Sequence, residues 1–212
     1  MQFSQSYLSI TGLSKQVLCR VPSKGKQKKV YLTFNDGPNP QITPWVADQL
    51  KAAGGVKATF FCVGENVDKY PEVYKRILAE GHAVGNHTYN HLNGWETPYD
   101  KYIVNVKKCG HTFGSLLFRP PHGRMTRKQI RKLRSRYKII MWSLLSGDFD
   151  KSISVTECAY NTVQYSKAGS IIVFHDSQKS KKTLYEALPK ILNHFSSTQW
   201  EMNKLDNKIS NK

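Results

Sequence analysis

Five times in this chain, a run rich in apolar side chains ends in a polar residue able to bind a metal ion or move a proton. The first run is Val30-Tyr31-Leu32-Thr33-Phe34, which passes into Asn35-Asp36 and is broken at once by Gly37-Pro38. The others lead to His87, Arg119, the Trp142–Asp150 segment and His175. Runs of β-branched and aromatic residues ended by Gly, Pro or Asn read as buried strands. Buried strands that each deliver chemistry at the same end restrict the fold to parallel α/β architectures, where crossovers leave every C-terminal strand end on one edge.

The intervening stretches read as helices. Ile42–Ala53 carries Trp45, Val46 and Leu50 at helical spacing and stops at Gly54-Gly55; Pro71–Glu80 opens on proline and closes on Gly81. Further helices are predicted over 99–113, Arg127–Arg136 behind a Thr126 cap, Val155–Lys167, and Thr183–Phe195, which Pro189 should kink or divide. The strands are predicted at Lys28–Phe34, Ala58–Val63, His82–Asn86, Leu116–Arg119, Lys138–Trp142 and Ser170–Phe174, with a short last strand after Trp200 before the tail frays. An open doubly wound sheet gathers its site near one switch point, whereas here nearly every strand contributes. A closed β/α barrel is therefore favoured.

At 212 residues and 39% hydrophobic content, one domain with a substantial core is expected. Residues 1–27 read as a weakly patterned basic lead-in outside the central architecture, 28–202 as the domain, and 203–212 as a tail. The formal charge is +17, with no acidic residue before Asp36 and none between Asp100 and Asp148. That imbalance attracts acidic partners such as an anionic cell-wall polymer or a membrane surface, and no specific nucleic-acid motif is present. Cys19, Cys62, Cys109 and Cys158 are too scattered for a thiolate metal site and read as ordinary thiols. Neither a signal peptide nor a membrane span is visible, which predicts a cytoplasmic protein, or a cell-envelope one whose leader is missing from the sequence.

His87 and His91 are spaced i, i+4, so on a helix or a tight turn both imidazoles reach one ion. Adding Asp36 gives two nitrogens and one oxygen, a set that suits Zn²⁺, Co²⁺, Ni²⁺ or Fe²⁺ with positions left open for water and substrate. His175, at the end of an apolar strand, is placed to protonate a leaving amine or alkoxide. Arg119 can bind a carboxylate or a developing oxyanion.

Thr33-Phe34-Asn35-Asp36-Gly37-Pro38, His87-Thr88-Tyr89-Asn90-His91, Arg119-Pro120-Pro121-His122-Gly123, Trp142–Asp150 and Ile171–Asp176 succeed one another in the order and spacing of five known motifs. In them the chain resembles the polysaccharide deacetylases, carbohydrate esterase family 4, also called the NodB-like domain. The resemblance covers about residues 28 to 200. It implies a single α/β domain built as a distorted (β/α) barrel of about seven parallel strands, with a divalent metal, zinc foremost, on Asp36, His87 and His91. It also implies hydrolysis of N- or O-acetyl groups on a glycan such as chitin oligomers, peptidoglycan or another acetylated polysaccharide, with His175 as general acid and Arg119 in the catalytic set. Pro121, His122, Gly123, Trp142 and Asp148 are the expected substrate-binding positions, and Trp95 a stacking aromatic for a sugar ring.

Two departures stand out. The family's first motif usually begins with an aspartate that takes a proton from water, and here Asn35 stands there; an amide has no useful basicity near neutral pH. Leu145 stands where many members carry the aspartate paired with the acid histidine, so His175 is expected to lack that partner, with Asp148 a partial substitute. His122 replaces a frequent aromatic residue and can line the acetyl site or supply a base. Three readings remain open: a metal-dependent deacetylase, whole or impaired; a pseudo-deacetylase that binds glycan; and a basic surface-binding protein.

Overall fold

A computed structural model of the chain describes residues 17–23, 28–112, 114–207 and 209. The elements begin with β1 (Val17–Leu18), β2 (Lys29–Asn35), α1 (Ile42–Ala52), β3 (Thr59–Cys62), α2 (Gly64–Lys69), α3 (Pro71–Ala79) and β4 (Ala83–Asn86). Then come α4 (Tyr99–Thr112), β5 (Leu117–Phe118), a 3-10 turn (Pro121–Gly123), α5 (Arg127–Leu133), β6 (Lys138–Ile140) and β7 (Leu144–Leu145). The chain closes with α6 (Val155–Gln164), β8 (Ser170–His175), α7 (Lys181–Ser197) and β9 (Glu201–Asn203). Helices α5 and α6 start on capping boxes, Thr126 with Gln129 and Ser154 with Glu157, in which side chain and backbone satisfy each other's free donors.

All strand pairings are parallel, in the order β1-β6-β5-β4-β3-β2-β8-β7, with β9 added to β2. The sheet curls so that the chain just past β1 reaches β8, the strand next to its far edge. Beyond β1, Arg20 bridges Ser170 of β8 and the Val21 amide donates to Gly169 O at 2.9 Å. Two-residue periodicity then sorts side chains into an interior and an outer layer. Tyr31 packs inside with Phe61, Leu117, Ile140 and Ile171. Leu32 and Phe34 face outward, where Phe34 stacks between Phe60 and Phe174 at 5.2 and 5.5 Å and packs under α1 and α7. A separate outer cluster of Phe118, Ile139 and Met141 lies under α4 and α5. Each such buried side chain contributes ~1.5–3 kcal/mol, so the alternation fixes which face of every strand reaches the barrel mouth.

Several expectations need correction. The lead-in does not lie wholly outside the architecture: Val17 and Leu18 pair with Ile139 and Ile140, although residues 1–16 and 24–27 lie outside the described residues. The tail is docked as far as Leu205, which is fully buried and whose amide donates to Thr59 Oγ1 at 2.8 Å. Pro189 does not divide α7, because Leu184, Ala187 and Leu188 before it and Ile191, Leu192 and Phe195 after it are all buried in one core. Helix α2 and strand β7 were not foreseen. Cys62, Cys109 and Cys158 are buried free thiols, as expected of core residues, and Cys19 is half-buried. No helix among the described residues is long and apolar enough to cross a membrane.

Candidate active site

The strand registers place the motif residues level with one another. Asn35 lies opposite Phe61 on one side and His175 on the other, while Cys62 pairs with Asn86 and Asn86 with Phe118. Asp36, His87, Arg119 and His175 therefore emerge on one edge of the sheet, as a β/α barrel requires of a site.

Asp36, His87 and His91 converge, with ligand atoms within 4.8 Å of one another. His87 Nε2 is 3.6 Å and His91 Nε2 3.2 Å from Asp36 Oδ1. The two histidines do not share a helix. They meet on a turn in which Thr88 and His91 adopt positive φ (65° and 54°), as do Asp36 (79°) and His122 (58°). Left-handed backbone at non-glycine residues costs energy, which the surrounding bonds must offset. Asn105 Oδ1 accepts from the Tyr89 and Asn90 amides, Asn86 Oδ1 from the Thr88 amide, and Asn66 Nδ2 donates to Asp36 O. Sequence reading missed these asparagines: they carry neither periodicity nor motif.

The donor set fits a cation. His87 Nδ1 is 2.7 Å from Arg119 O, and a carbonyl only accepts, so the ring proton sits on Nδ1. Burial lowers the His87 pKa to about 4, which keeps the imidazole neutral and leaves the buried Nε2 lone pair without a hydrogen-bond partner. Burial opposes ionisation of Asp36, but the adjoining histidines outweigh it and hold the carboxyl well below its usual range. A neutral nitrogen lone pair thus faces a carboxylate 3.6 Å away, an arrangement a cation between them satisfies. Ligands ~2.0–2.1 Å from a tetrahedral ion are about 3.3 Å apart, close to what is found here.

His175 has a full partner, contrary to expectation. Asp148 Oδ1 accepts from His175 Nδ1 at 2.9 Å, and Asp148 Oδ2 accepts from the His175 amide at 2.7 Å. Ser146 Oγ also donates to Asp148 Oδ1 at 3.0 Å. Burial works against a charged His175, yet the Asp148 carboxylate prevails and raises its pKa. The buried Asp148 side chain sits behind the histidine and is not placed to touch substrate. Leu145 pairs with Val173 on β8, three residues too early to serve.

Arg119 is likewise corrected. It is fully buried and stacks 4.1 Å over Phe61. Its guanidinium donates to Thr33 Oγ1, Asn35 Oδ1, Ile140 O and Met141 O, and so is spent on the protein instead of facing an incoming oxyanion. Burial without a neighbouring carboxylate pulls its pKa down. Asp176, which closes the fifth motif but was given no role from sequence, is buried beneath the first motif, where it accepts from the Gly37 amide at 3.1 Å and from Thr43 Oγ1. Burial pushes its pKa up to about 7.

The third motif forms the rim. Pro121 is buried, and the exposed His122 ring stands edge-on to His91 at 4.9 Å. A Cβ on Gly123 would come within 2.7 Å of Trp142, so the turn and this half-buried indole meet closely enough to demand glycine. Trp95 is 58% exposed, which rules out core packing. Its Nε1 donates to Met125 O at 3.0 Å, and the Arg124 guanidinium lies 5.1 Å from its ring.

Comparison with known proteins agrees with this arrangement. Residues 23–139 match the polysaccharide deacetylase family. A peptidoglycan-N-acetylglucosamine deacetylase of Bacillus cereus is 35% identical over 175 residues, 77% of this chain and 63% of the relative, so the chain spans under two thirds of that protein. A chitooligosaccharide deacetylase of Azorhizobium caulinodans is 32% identical over 161 residues, covering 71% of this chain and 74% of the relative. A solved peptidoglycan N-acetylglucosamine deacetylase, in complex with 4-naphthalen-1-yl-N-oxidanyl-benzamide, superimposes with a TM-score of 0.83 at 31% identity, over 90% of this chain and 91% of that one. From sequence, barrel and site together, the chain belongs to the polysaccharide deacetylase family.

Proposed function

We propose that this protein is a metal-dependent hydrolase that removes N- or O-acetyl groups from a glycan, of peptidoglycan or chitin-oligomer type. The observation that carries this reading is the convergence, on one barrel edge, of the Asp36–His87–His91 cluster with a carboxylate-paired histidine, His175. The Bacillus and Azorhizobium relatives are named for deacetylation of peptidoglycan N-acetylglucosamine and of chitooligosaccharide. Asp36, His87 and His91 would hold the divalent ion, zinc by preference, with cobalt, nickel or iron as alternatives. When bound, such an ion supplies Lewis acidity at the acetyl carbonyl and lowers the pKa of water.

The chain's own residues do the rest. His175, with Nδ1 committed to Asp148, keeps Nε2 for proton transfer to the leaving amine, and Asp148 stabilises the imidazolium. Arg119 acts as a positioning residue that fixes Asn35 and, through its carbonyl, His87. Pro121, His122, Gly123 and Trp142 line the acetyl pocket, and Trp95 offers its exposed face to a sugar ring. A peptidoglycan substrate would place the work at the cell envelope.

One observation favours a second reading, a pseudo-deacetylase that binds glycan without turnover: Asn35 cannot accept the proton that water must lose. Acetate release from acetylated chitooligosaccharides and peptidoglycan, for this chain and for Asn35→Asp with Zn²⁺ or Co²⁺, separates the two. Release by the unaltered chain above a metal-free control supports the hydrolase, whereas release by Asn35→Asp alone supports the pseudo-deacetylase. If both forms bind glycan and neither releases acetate, the pseudo-deacetylase reading takes its place.

A further inference from the structure

Helix α5 and the segment after it present Arg127, Lys128, Arg131, Lys132, Arg134 and Arg136, all exposed. Arg127, Arg131 and Arg134 recur at i, i+4 and i+7, one stripe of the helix, with Lys128 and Lys132 beside it, while Ile130 and Leu133 anchor the opposite side in the core. Helix α4 packs alongside and adds exposed Lys101 and Lys107, and Lys128 Nζ reaches across to lie 4.1 Å over the Tyr99 ring at the start of α4. Helix α4 carries one carboxylate, Asp100 in its first turn, and α5 carries none, and no acidic residue occurs between Asp100 and Asp148, so the face keeps a large excess of positive charge. Among the described residues, none of these eight side chains forms an ion pair with a carboxylate.

This face is continuous with the candidate site. The loop from Arg119 to the Thr126 cap carries His122 against His91 and Arg124 over Trp95. Gln129, inside α5, donates to Gly94 O at 2.9 Å, and Trp95 Nε1 to Met125 O, so the sugar-facing tryptophan and the start of the basic helix are tied into one piece. A polymer lying along α5 runs onto the rim of the site.

We propose that the α4–α5 face docks a linear polyol-phosphate chain joined to the acetylated glycan, and so selects phosphate-bearing glycan as the protein's substrate; this rests on the deacetylase reading above. Unpaired cations on an exposed helix bind phosphodiesters by counterion release, a force that depends on charge density and needs no pocket. A membrane fits less well, since of the large exposed apolar side chains none is on α5 and only Val104 is on α4. Single-stranded nucleic acid fits less well too, because Tyr99 and Tyr137 on this face lie under Lys128 and Arg136, and the exposed Trp95 stands at the rim of the site and not along α5.

Binding of the whole chain to poly(glycerol phosphate), measured across a salt series, tests this independently of turnover. Arg127→Glu/Arg131→Glu is expected to weaken binding by roughly tenfold or more and to lower the salt slope by about 2, and Lys132→Glu/Arg134→Glu to do the same. Lys182→Glu/Lys190→Glu on α7 makes an equal change in net charge and should leave binding intact. His91→Ala should also retain binding, so loss of acetate release alone counts against the hydrolase and not against the docking face. Equal weakening by the α5 and α7 pairs would show a net-charge effect and overturn the proposal. So would phosphatidylglycerol vesicles or duplex DNA binding through Arg127 and Arg131 as tightly as the polymer.

Discussion

Arg119 donates through Nη1 to Asn35 Oδ1 at 2.9 Å, and this bond decides which way the Asn35 amide faces. A guanidinium has no acceptor, so the amide oxygen turns towards it and the NH₂ group turns away. Asn35 therefore offers a donor where water needs an acceptor. Arg119 in turn is a fully buried cation with no ion pair among the described residues.

Asn35→Asp should supply the missing base and give Arg119 a carboxylate. Acetate release under identical metal loading is expected to rise ~10²–10⁴-fold, the usual contribution of a positioned base. An unchanged rate would remove the base role from this position.

Asp148→Asn should keep the fold of the 146–148 turn while removing the charge that raises the His175 pKa. Activity that needs protonated His175 falls as pH rises through its pKa, so the alkaline limb of the rate profile should move to lower pH in the variant. The rate at neutral pH should drop ~10²-fold or more. The sign for stability is the same: with a folded pKa above the ordinary ~6.5, the pair stabilises fully below that value and loses its effect as pH rises through the folded one. A rate profile with its alkaline limb unmoved would exclude this role for Asp148.

Removing metal should lower the melting temperature, and restoring Zn²⁺ should recover it. An ion held at 100 times its dissociation constant adds ~2.7 kcal/mol, roughly 5–10 °C for a chain of this size. His91→Ala and Asp36→Ala should abolish that shift, which calorimetry with and without chelator measures directly.

His82 is a second buried neutral histidine, away from the site. Its Nδ1 accepts from the Ala58 amide at 3.2 Å, leaving the protonated Nε2 buried with Glu80 no nearer than 3.8 Å, and burial lowers its pKa to about 4. The unfolded chain takes up that proton near pH 6.5 and the folded one does not until about 4, so stability should fall across this window by on the order of 3 kcal/mol. Denaturant melts of His82→Gln, which keeps an acceptor for Ala58, should show a flatter acid limb.

Much of the fold and site was legible in the sequence because strand ends announce themselves. Val30–Phe34 and Ile171–Phe174 are apolar enough to be buried on both faces, and the polar residues just past them are then forced to the barrel mouth. Asp36 and His87 were found this way and His91 from its i, i+4 spacing to His87, and the structure brings the three together. Arg119 was found but misjudged, since a sequence does not say whether a guanidinium points into the cleft or beneath it. Asp148 was underrated because family spacing drew attention to Leu145, although a turn through Ser146 and Gly147 lets a later carboxylate reach the same ring. The supports Asn66 and Asn105 escaped notice and Asp176, the last residue of the fifth motif, was given no role, each being one polar residue whose partner lies far along the chain.

Strand β1 is only two residues long, yet it lies along β6 and leads into the bridge at Arg20 that joins the sheet to β8. A fragment begun at Lys28, where the sequence pattern first becomes clear, would leave Ile139 and Ile140 as an open apolar edge. Unpaired edges of that kind recruit other chains. The few residues with the weakest pattern in the sequence thus guard the barrel against aggregation.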